Sequence, residues 1–463
     1  MDELFPYQQE GWRWLASRRA ALLADEMGLG KSAQAVTAAD AINAERILVL
    51  CPAIARFNWE NEFKKFSIYE RPSFVLTAES QDFSTAPPGL HICSYNLAQP
   101  SRFDFSKKYD VVVLDEVHYL KNGDTGRTRD VFGANGLARL GTHVWALSGT
   151  PSPNHVGELW VLLRCFGATD LSYGAFEQRY CRTVADRLGR VRVVGTRLDR
   201  ADEIQNMLGK CMMRRTKAEV MKDLPTIFYQ DVVVEAGPVH IPSMFHDGAI
   251  PGREYDIMRD IEVERTMLER MIGVSAENDS VDDVLMERLR ITGGMVPKYR
   301  RYIGMQKIQG VADLVASELE VGAYDKIVLF AHHRTVIEGL RFALRKFNPV
   351  TLYGATPTLK REANLLSFRE EARCKVFIGH IQAAGVAVNL TVAHNVIVVE
   401  PDYVPGVNAQ AIMRCHRIGQ TKPVFVRFVA LARDRIDARI TSIWKRKARE
   451  LTKVYTTPIN STQ

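Results

Sequence analysis

Residues 20–32 read Ala-Ala-Leu-Leu-Ala-Asp-Glu-Met-Gly-Leu-Gly-Lys-Ser. The apolar run Ala20–Ala24 predicts a buried strand, and Ala33-Gln-Ala-Val-Thr-Ala-Ala39 after the turn predicts a helix. Strand, glycine turn and helix N-terminus together form the setting in which backbone N–H groups close on phosphate oxygens. Gly28 and Gly30 allow that close approach. Lys31 is placed to neutralise β- and γ-phosphate charge, and Ser32 to offer a hydroxyl to Mg2+. Asp25 stands where the general pattern has Gly or Ala.

A second stretch strengthens this reading. Residues 110–118 read Asp-Val-Val-Val-Leu-Asp-Glu-Val-His, an apolar strand ending in adjacent carboxylates. Such a strand end ordinarily faces solvent. Beside a phosphate loop it supplies a division of labour: Asp115 for the Mg2+ shell, and Glu116 to orient and deprotonate an attacking water. Ser148-Gly-Thr-Pro151 follows another apolar run and reads alone as a turn. Beside the carboxylates, its hydroxyls can relay the state of a γ-phosphate.

Further β-branched runs lie at 47–50, 111–114, 144–147, 327–330, 376–378 and 396–399. Helical-looking segments separate them, the alternation of an α/β chain with parallel sheets. The runs fall into two groups, before about residue 150 and after about residue 325. Between them, 237–252 reads as a Pro/Gly linker. Segment 253–293 reads as amphipathic helix, with Ile257, Ile261, Met267 and Met271 near helical spacing, and 436–452 as a basic helix.

The 463 residues are 46% hydrophobic and 25% charged, with a formal charge of +7. This is ordinary globular composition and permits a polyanionic partner without requiring one. No apolar run of about 18 residues marks a membrane span. Seven dispersed cysteines without a CxxC pair read as reduced thiols rather than a disulfide framework or zinc site. Lys298-Tyr-Arg-Arg301 and Lys445-Arg-Lys447, near Tyr302 and Trp444, form local basic clusters. In 410–420, Gln-Ala-Ile-Met-Arg-Cys-His-Arg-Ile-Gly-Gln, Arg414 and Arg417 would share one face of a helix.

The set and its order resemble the Swi/Snf-type ATPases of helicase superfamily two. The matching blocks are Phe5–Trp12, Asp25–Ser32, Leu48–Pro52 with Asn58-Trp-Glu60, Asp115–His118, Ser148–Pro151, Met213-Arg-Arg-Thr-Lys217, Gly385–Thr391 and Gln410–Gln420. In that family Asp25 is normal. Arg179-Tyr-Cys181, Phe330-Ala-His-His333 and Val404-Pro-Gly406 resemble the annealing-helicase, fork-remodelling branch. Ala387 stands where Gly is common, preceded by His380 and Gln382.

The resemblance implies an α/β fold of two RecA-like parallel-sheet lobes with helical protrusions between them and ATP between the lobes. Lobe one would span 1–235, with a protrusion at about 155–215. A linker and second protrusion would span 236–320, and lobe two with its basic C-terminal helix 321–463. Gln8 would contact adenine and Gln410 the nucleotide; His118, Ser148 and Thr150 would couple hydrolysis to movement; Arg414 and Arg417 would be arginine fingers. Arg56, Asn96 and Asn389 would touch DNA.

The implied activity is ATP- and Mg2+-dependent translocation on double-stranded or branched DNA, mostly without parting the strands. It would be carried out by a monomer with no membrane association. Any fork specificity would come from a protein partner. The extension-free layout points to bacterial or viral cytoplasm or nucleoid over a nucleus. The alternatives are a strand-separating or defence-system helicase, an RNA-directed motor, and a low-turnover ATP-dependent DNA-binding switch.

Overall fold

A computed structural model describes residues 4–77, 82–185, 191–237, 295–354, 356–384 and 388–455. The linker at 237–252 beyond Gly237, the amphipathic reading of 253–293 and Ala387 lie outside the described residues. The chain divides into two compact units. The first runs to Arg182, resumes over Gly195–Leu224 and includes the chain from Arg449; the second holds Thr183–Val194 and Pro225–Ala448.

The first unit is built on a parallel sheet. Its strands are β1 (Ala20–Leu23), β2 (Arg46–Cys51), β3 (Ser73–Val75), β4 (Gly89–Ser94), β5 (Tyr109–Asp115) and β6 (Gly141–Leu147). A separate ribbon, β7 (Cys181–Ala185) and β8 (Val191–Thr196), precedes the short β9 (Met212–Met213), which joins the main sheet. The order is β3-β4-β2-β5-β6-β1-β9, parallel throughout. Alternate residues Ala21, Leu23, Ile47, Val49, Val111, Val113, Trp145 and Leu147 bury one face. They pack with Leu15 of α1 (Pro6–Ala16), Val36 and Ala39 of α2 (Lys31–Ala41), and Trp59 and Phe63 of α3 (Arg56–Phe66). The intervening residues Leu22, Leu48, Val112 and Ala146 are equally buried, so the strands read as continuous apolar runs.

The second unit repeats the plan. Its parallel sheet runs β10-β15-β14-β11-β13-β12, with β10 (Ile227–Val234), β11 (Ile327–Ala331), β12 (Val350–Leu352), β13 (Val376–His380), β14 (Asn395–Val398) and β15 (Val424–Leu431). One face packs on α4 (Met295–Glu320) and α5 (Arg334–Ala343) through Val311, Val315, Leu319, Ile337 and Leu340. The other packs on Ala411 and Ile412 of α6 (Pro405–Ile412) and on Cys415. The last helix, α7, spans Arg435–Tyr455. Among the described residues no helix is long and apolar enough to cross a membrane.

The unit boundaries differ from those expected. Residues 227–234, expected in the first lobe, pair in full register with 424–431 as an edge strand of the second sheet. Residues 295–320, expected in a protrusion, form a core helix, because Val311, Val315 and Leu319 recur every fourth position on its buried face. From Arg449 the chain belongs to the first unit rather than the second.

A buried ion pair fixes α4. Lys307 donates to Asp437 Oδ1 at 2.9 Å and to the carbonyls of Val429 at 2.8 Å and Val399 at 3.3 Å. Asp437 also accepts from Leu431 N at 2.7 Å. Lys307→Ala leaves a buried carboxylate without its cation. It is expected to destabilise the second unit by about 3–5 kcal/mol, read by urea unfolding; a change below about 1 kcal/mol would contradict this account.

Candidate nucleotide site

In the first sheet, β5, β6 and β1 are neighbours. Parallel order brings their carboxyl ends together, so residues 25–30, 116–118 and 148–151 gather along one edge. Such edges are where open parallel sheets bind ligands. The loop after β1 turns through two left-handed glycines, Gly28 (φ 86°) and Gly30 (φ 71°), the latter capping α2. Lys31 and Ser32 open that helix. Lys31 Nζ donates to the carbonyl of Asp25 at 2.7 Å and of Glu26 at 3.4 Å. Burial holds Lys31 below the ordinary lysine range, against the opposing pull of Glu116, Asp25 and Asp115.

The loop is braced by residues from the end of the unit's long excursion. Asp25 has no exposed surface and accepts from Arg215 Nε at 3.0 Å, Arg215 Nη2 at 2.6 Å, Arg215 N at 3.1 Å and Gln34 Nε2 at 3.1 Å. Arg214 Nη1 donates to Ala24 O at 2.8 Å and Gly149 O at 3.2 Å. Lys217 N donates to Glu26 at 2.8 Å. Spacing gave no sign of this brace; the Met213–Lys217 block was visible only through the family resemblance. Gln8 is buried and donates to Leu29 O at 3.2 Å, so it lies against the same loop.

At the end of β5, Asp115 accepts from Trp59 Nε1 at 2.8 Å and Glu116 N at 3.0 Å. Burial and the adjacent Glu116 push its carboxyl well above the usual range. Glu116 sits in the left-handed region at φ 49°, uncommon for a non-glycine. His118 Nδ1 lies 3.0 Å from Ser148 Oγ and 3.3 Å from Glu116 Oε2. Ser148 Oγ donates to Glu116 at 3.4 Å and accepts from Thr150 N at 3.2 Å. Of the expected coupling residues, His118 and Ser148 therefore touch Glu116, and Thr150 touches Ser148. Trp59 and Tyr95, whose hydroxyl donates to Asp115 O at 2.7 Å, complete the surroundings.

The second unit holds the other expected residues. Gln410 lies on α6, but that helix ends at Ile412. Arg414 and Arg417 therefore ride on turns and not on the helical face their spacing suggested. The turns are set by Arg414 N→Ala411 O at 3.2 Å and Cys415 N→Ile412 O at 3.0 Å. Buried Cys415, His416 and Gln420 pin them, Gln420 donating to the carbonyls of Thr391, Ala393 and Cys415 at 3.0–3.1 Å. Arg414 O accepts from Leu390 N at 3.0 Å, placing the exposed Asn389 near this turn.

In the first unit, Asn96 is exposed and accepts from Arg127 at 2.9 Å, while Arg56 is half-buried and donates to Leu76 O at 2.6 Å. Of the basic clusters, Arg300 turns inward and covers the Tyr403 ring at 4.3 Å. His332 and His333 form a polar group with Glu400, which accepts from both backbone N–H groups at 2.9 Å and from His333 Nδ1 at 2.7 Å.

A phosphate loop beside an acidic strand end, on a parallel sheet, is the arrangement of a P-loop nucleoside triphosphatase. Residues 7–243 match the SNF2-related domain, and 306–419 the helicase conserved C-terminal domain. The chain belongs to the SNF2-related family.

A Caenorhabditis elegans protein, the SWI/SNF-related matrix-associated actin-dependent regulator of chromatin subfamily A-like protein 1 homolog, is 30% identical over 449 residues, 93% of this chain and 59% of that protein. The DNA annealing helicase and endonuclease ZRANB3 of Mus musculus is 24% identical over 459 residues, 96% of this chain and 40% of that protein. The chain spans 40% to 59% of the length of such curated relatives. The Sulfolobus solfataricus SWI2/SNF2 ATPase core, solved in complex with dsDNA, aligns over 99% of this chain and 98% of that one, with 21% identity and a TM-score of 0.42.

Gly149 permits the close approach of the Ser-Gly-Thr turn to the phosphate loop. A Cβ there would lie 2.4 Å from Met27 Cγ and 3.1 Å from Met27 N. Gly149→Ala is expected to displace the loop and weaken ATP binding about tenfold or more, measured by calorimetry. Unchanged affinity would show that the loop does not depend on this contact.

Proposed function

We propose that this chain is a DNA-dependent ATPase that converts ATP to ADP and phosphate and uses the cycle to move along double-stranded or branched DNA. The observation that carries the reading is the meeting of Lys31, Asp115, Glu116, His118 and Ser148 at one sheet edge. The relatives' names, a DNA annealing helicase among them, support DNA as the track.

In this reading the loop N–H groups at Gly28 and Gly30 and the Lys31 ammonium hold the phosphates, and Gln8 and Gln410 contact the nucleotide. Ser32 and Asp115 would hold Mg2+. The fit rests on their hard oxygen donors; the Asp115 carboxyl is raised by burial first and by the adjacent Glu116 second, both of which a bound cation would offset. The ion supplies neutralisation of phosphate charge. Glu116 orients the attacking water and takes its proton. Arg414 and Arg417 offset charge on the transferred phosphoryl group. His118, Ser148 and Thr150 relay the state of Glu116. Arg56, Asn96 and Asn389 meet the DNA backbone, whose uniform phosphates give affinity without sequence reading. Preference for a fork would come from a protein partner.

The test is steady-state ATP hydrolysis without nucleic acid and with plain duplex, forked duplex, single-stranded DNA or RNA. Duplex or forked DNA is expected to stimulate the chain and RNA is not. Lys31→Ala should abolish the stimulated rate. Glu116→Gln should lower it by about 10²–10⁴ while ATP still binds. Wild-type turnover in Glu116→Gln would remove the assigned base, and stimulation by RNA alone would remove the DNA motor. Release of a strand from a tailed duplex would favour the strand-separating alternative.

A further inference from the structure

The node around Arg215 joins three elements of the first unit. Its Nε and Nη2 hold Asp25 in the phosphate loop at 3.0 and 2.6 Å. Nη2 also donates to Gln34 Oε1 of α2 at 2.9 Å. Nη1 donates to the carbonyl of Tyr7 and, at 3.3 Å, to Glu10, both on α1. Every N–H of the guanidinium thus has an acceptor. Gly11 lets α1 come this close, for a Cβ there would lie 1.8 Å from Gln34 Oε1 and 2.5 Å from Arg215 Nη2. Gln8, one residue past Tyr7, reaches Leu29 O, which also accepts from Gln34 at 3.2 Å.

A phosphate loop by itself binds any nucleoside triphosphate, because it meets only the shared phosphates. Base and phosphates are joined covalently at a set separation. A residue on another element can read the base only if that element is held in place against the loop. We propose that Arg215 is a positioning residue for adenine recognition: it locks the helix carrying Gln8 to the loop carrying Lys31. The inference rests on the reading above, in which this is an ATP site and Gln8 its base contact. Arg rather than Lys is required, since an ammonium can neutralise Asp25 but cannot also present the planar fork to Tyr7 and Gln34.

The test is calorimetric binding of ADP and GDP to the full chain, with KM and kcat for ATP and GTP measured alongside. Arg215→Lys is expected to weaken ADP about tenfold, the scale of one charge-assisted hydrogen bond, and to leave GDP nearly unchanged. The rise should appear in KM more than in kcat. Gln8→Ala should lose the same preference, and the double variant should be no worse than either single, because both changes break one linkage.

Equal loss of ADP and GDP, or a folded Arg215→Lys with wild-type preference, would overturn the proposal. So would wild-type protein that binds ADP and GDP alike. If Arg215→Lys shows no cooperative thermal transition, Gln34→Ala, which removes the Gln34 contacts to Arg215, Asp25 and Leu29 but leaves the Arg215–Asp25 ion pair, is read in the same way. Failure of DNA to stimulate hydrolysis, with the ADP preference intact and lost in Arg215→Lys, would fell the motor and leave this inference standing.

Discussion

A carboxylate with no exposed surface is tolerable only when charge and hydrogen bonds compensate it, and Asp25 is that carboxylate here. Its compensation comes from Arg215, which is 190 residues away in the chain. The phosphate loop therefore gains its counter-charge where the excursion after β6 returns to the sheet. The return is made by β9, whose Met212 and Met213 pair with Leu22 and Leu23 of β1, immediately before the loop. A two-residue strand buries little by itself. Its role is delivery: it sets Arg214 against Ala24 O and Gly149 O, and Arg215 against Asp25. Arg214 in turn covers the ring of Tyr455 at 4.8 Å, and Tyr455 meets Ser152, so the end of α7 joins the same brace.

The acidic edge follows a similar logic. Glu116 adopts a left-handed backbone that a non-glycine residue enters only when its surroundings over-determine it. Those surroundings are visible: Asp115 Oδ1 accepts from Glu116 N, Tyr95 holds the Asp115 carbonyl, and Trp59 holds the other carboxylate oxygen. The backbone turn points Glu116 toward Ser148 and His118. Ser148 is continuous with Gly149, and Gly149 lies against Met27, so one run of contacts joins Glu116 to the phosphate loop.

Central strands such as β2, β5, β11 and β14 were legible because both of their faces are buried. Val111–Leu114, for example, needs only local apolarity to be recognised, and it lies within β5. The glycine loop and the Asp-Glu strand end were legible for the same reason: their chemistry is contiguous. What depended on distant partners was not. Asp25 looked like a departure from the phosphate-loop pattern because its cation is remote. Arg414 and Arg417 looked helical because no breaker follows Ile412 directly; the turn is imposed by Gln420 and by His416, whose ring meets Pro225 O at 2.7 Å. The boundary near residue 225 was hidden because β10 exposes Phe228, Tyr229 and Val233, which erases the alternation that normally marks an edge strand.

The same distinction explains why the modest net charge was a poor guide. Several cations are committed inside the units: Arg71 to Asp40 at 2.6 Å, Arg427 to Glu318 at 2.6 Å, Lys307 to Asp437, and Arg300 to the Tyr403 ring. The three ion pairs cancel within the formal +7, because their carboxylates are counted too, and Arg300 is buried against a ring, so the surplus does not by itself mark a surface. For a motor of the proposed kind this is an advantage. A strong uniform positive surface would bind polyanions everywhere and slow release, whereas stepping requires contacts that form and break with the nucleotide cycle. Asn96 lies on the loop after β4, Arg56 at the start of α3, and Asn389 beside the turn bearing Arg414. In the proposed reading, such contacts would sense the track by position and not by bulk charge.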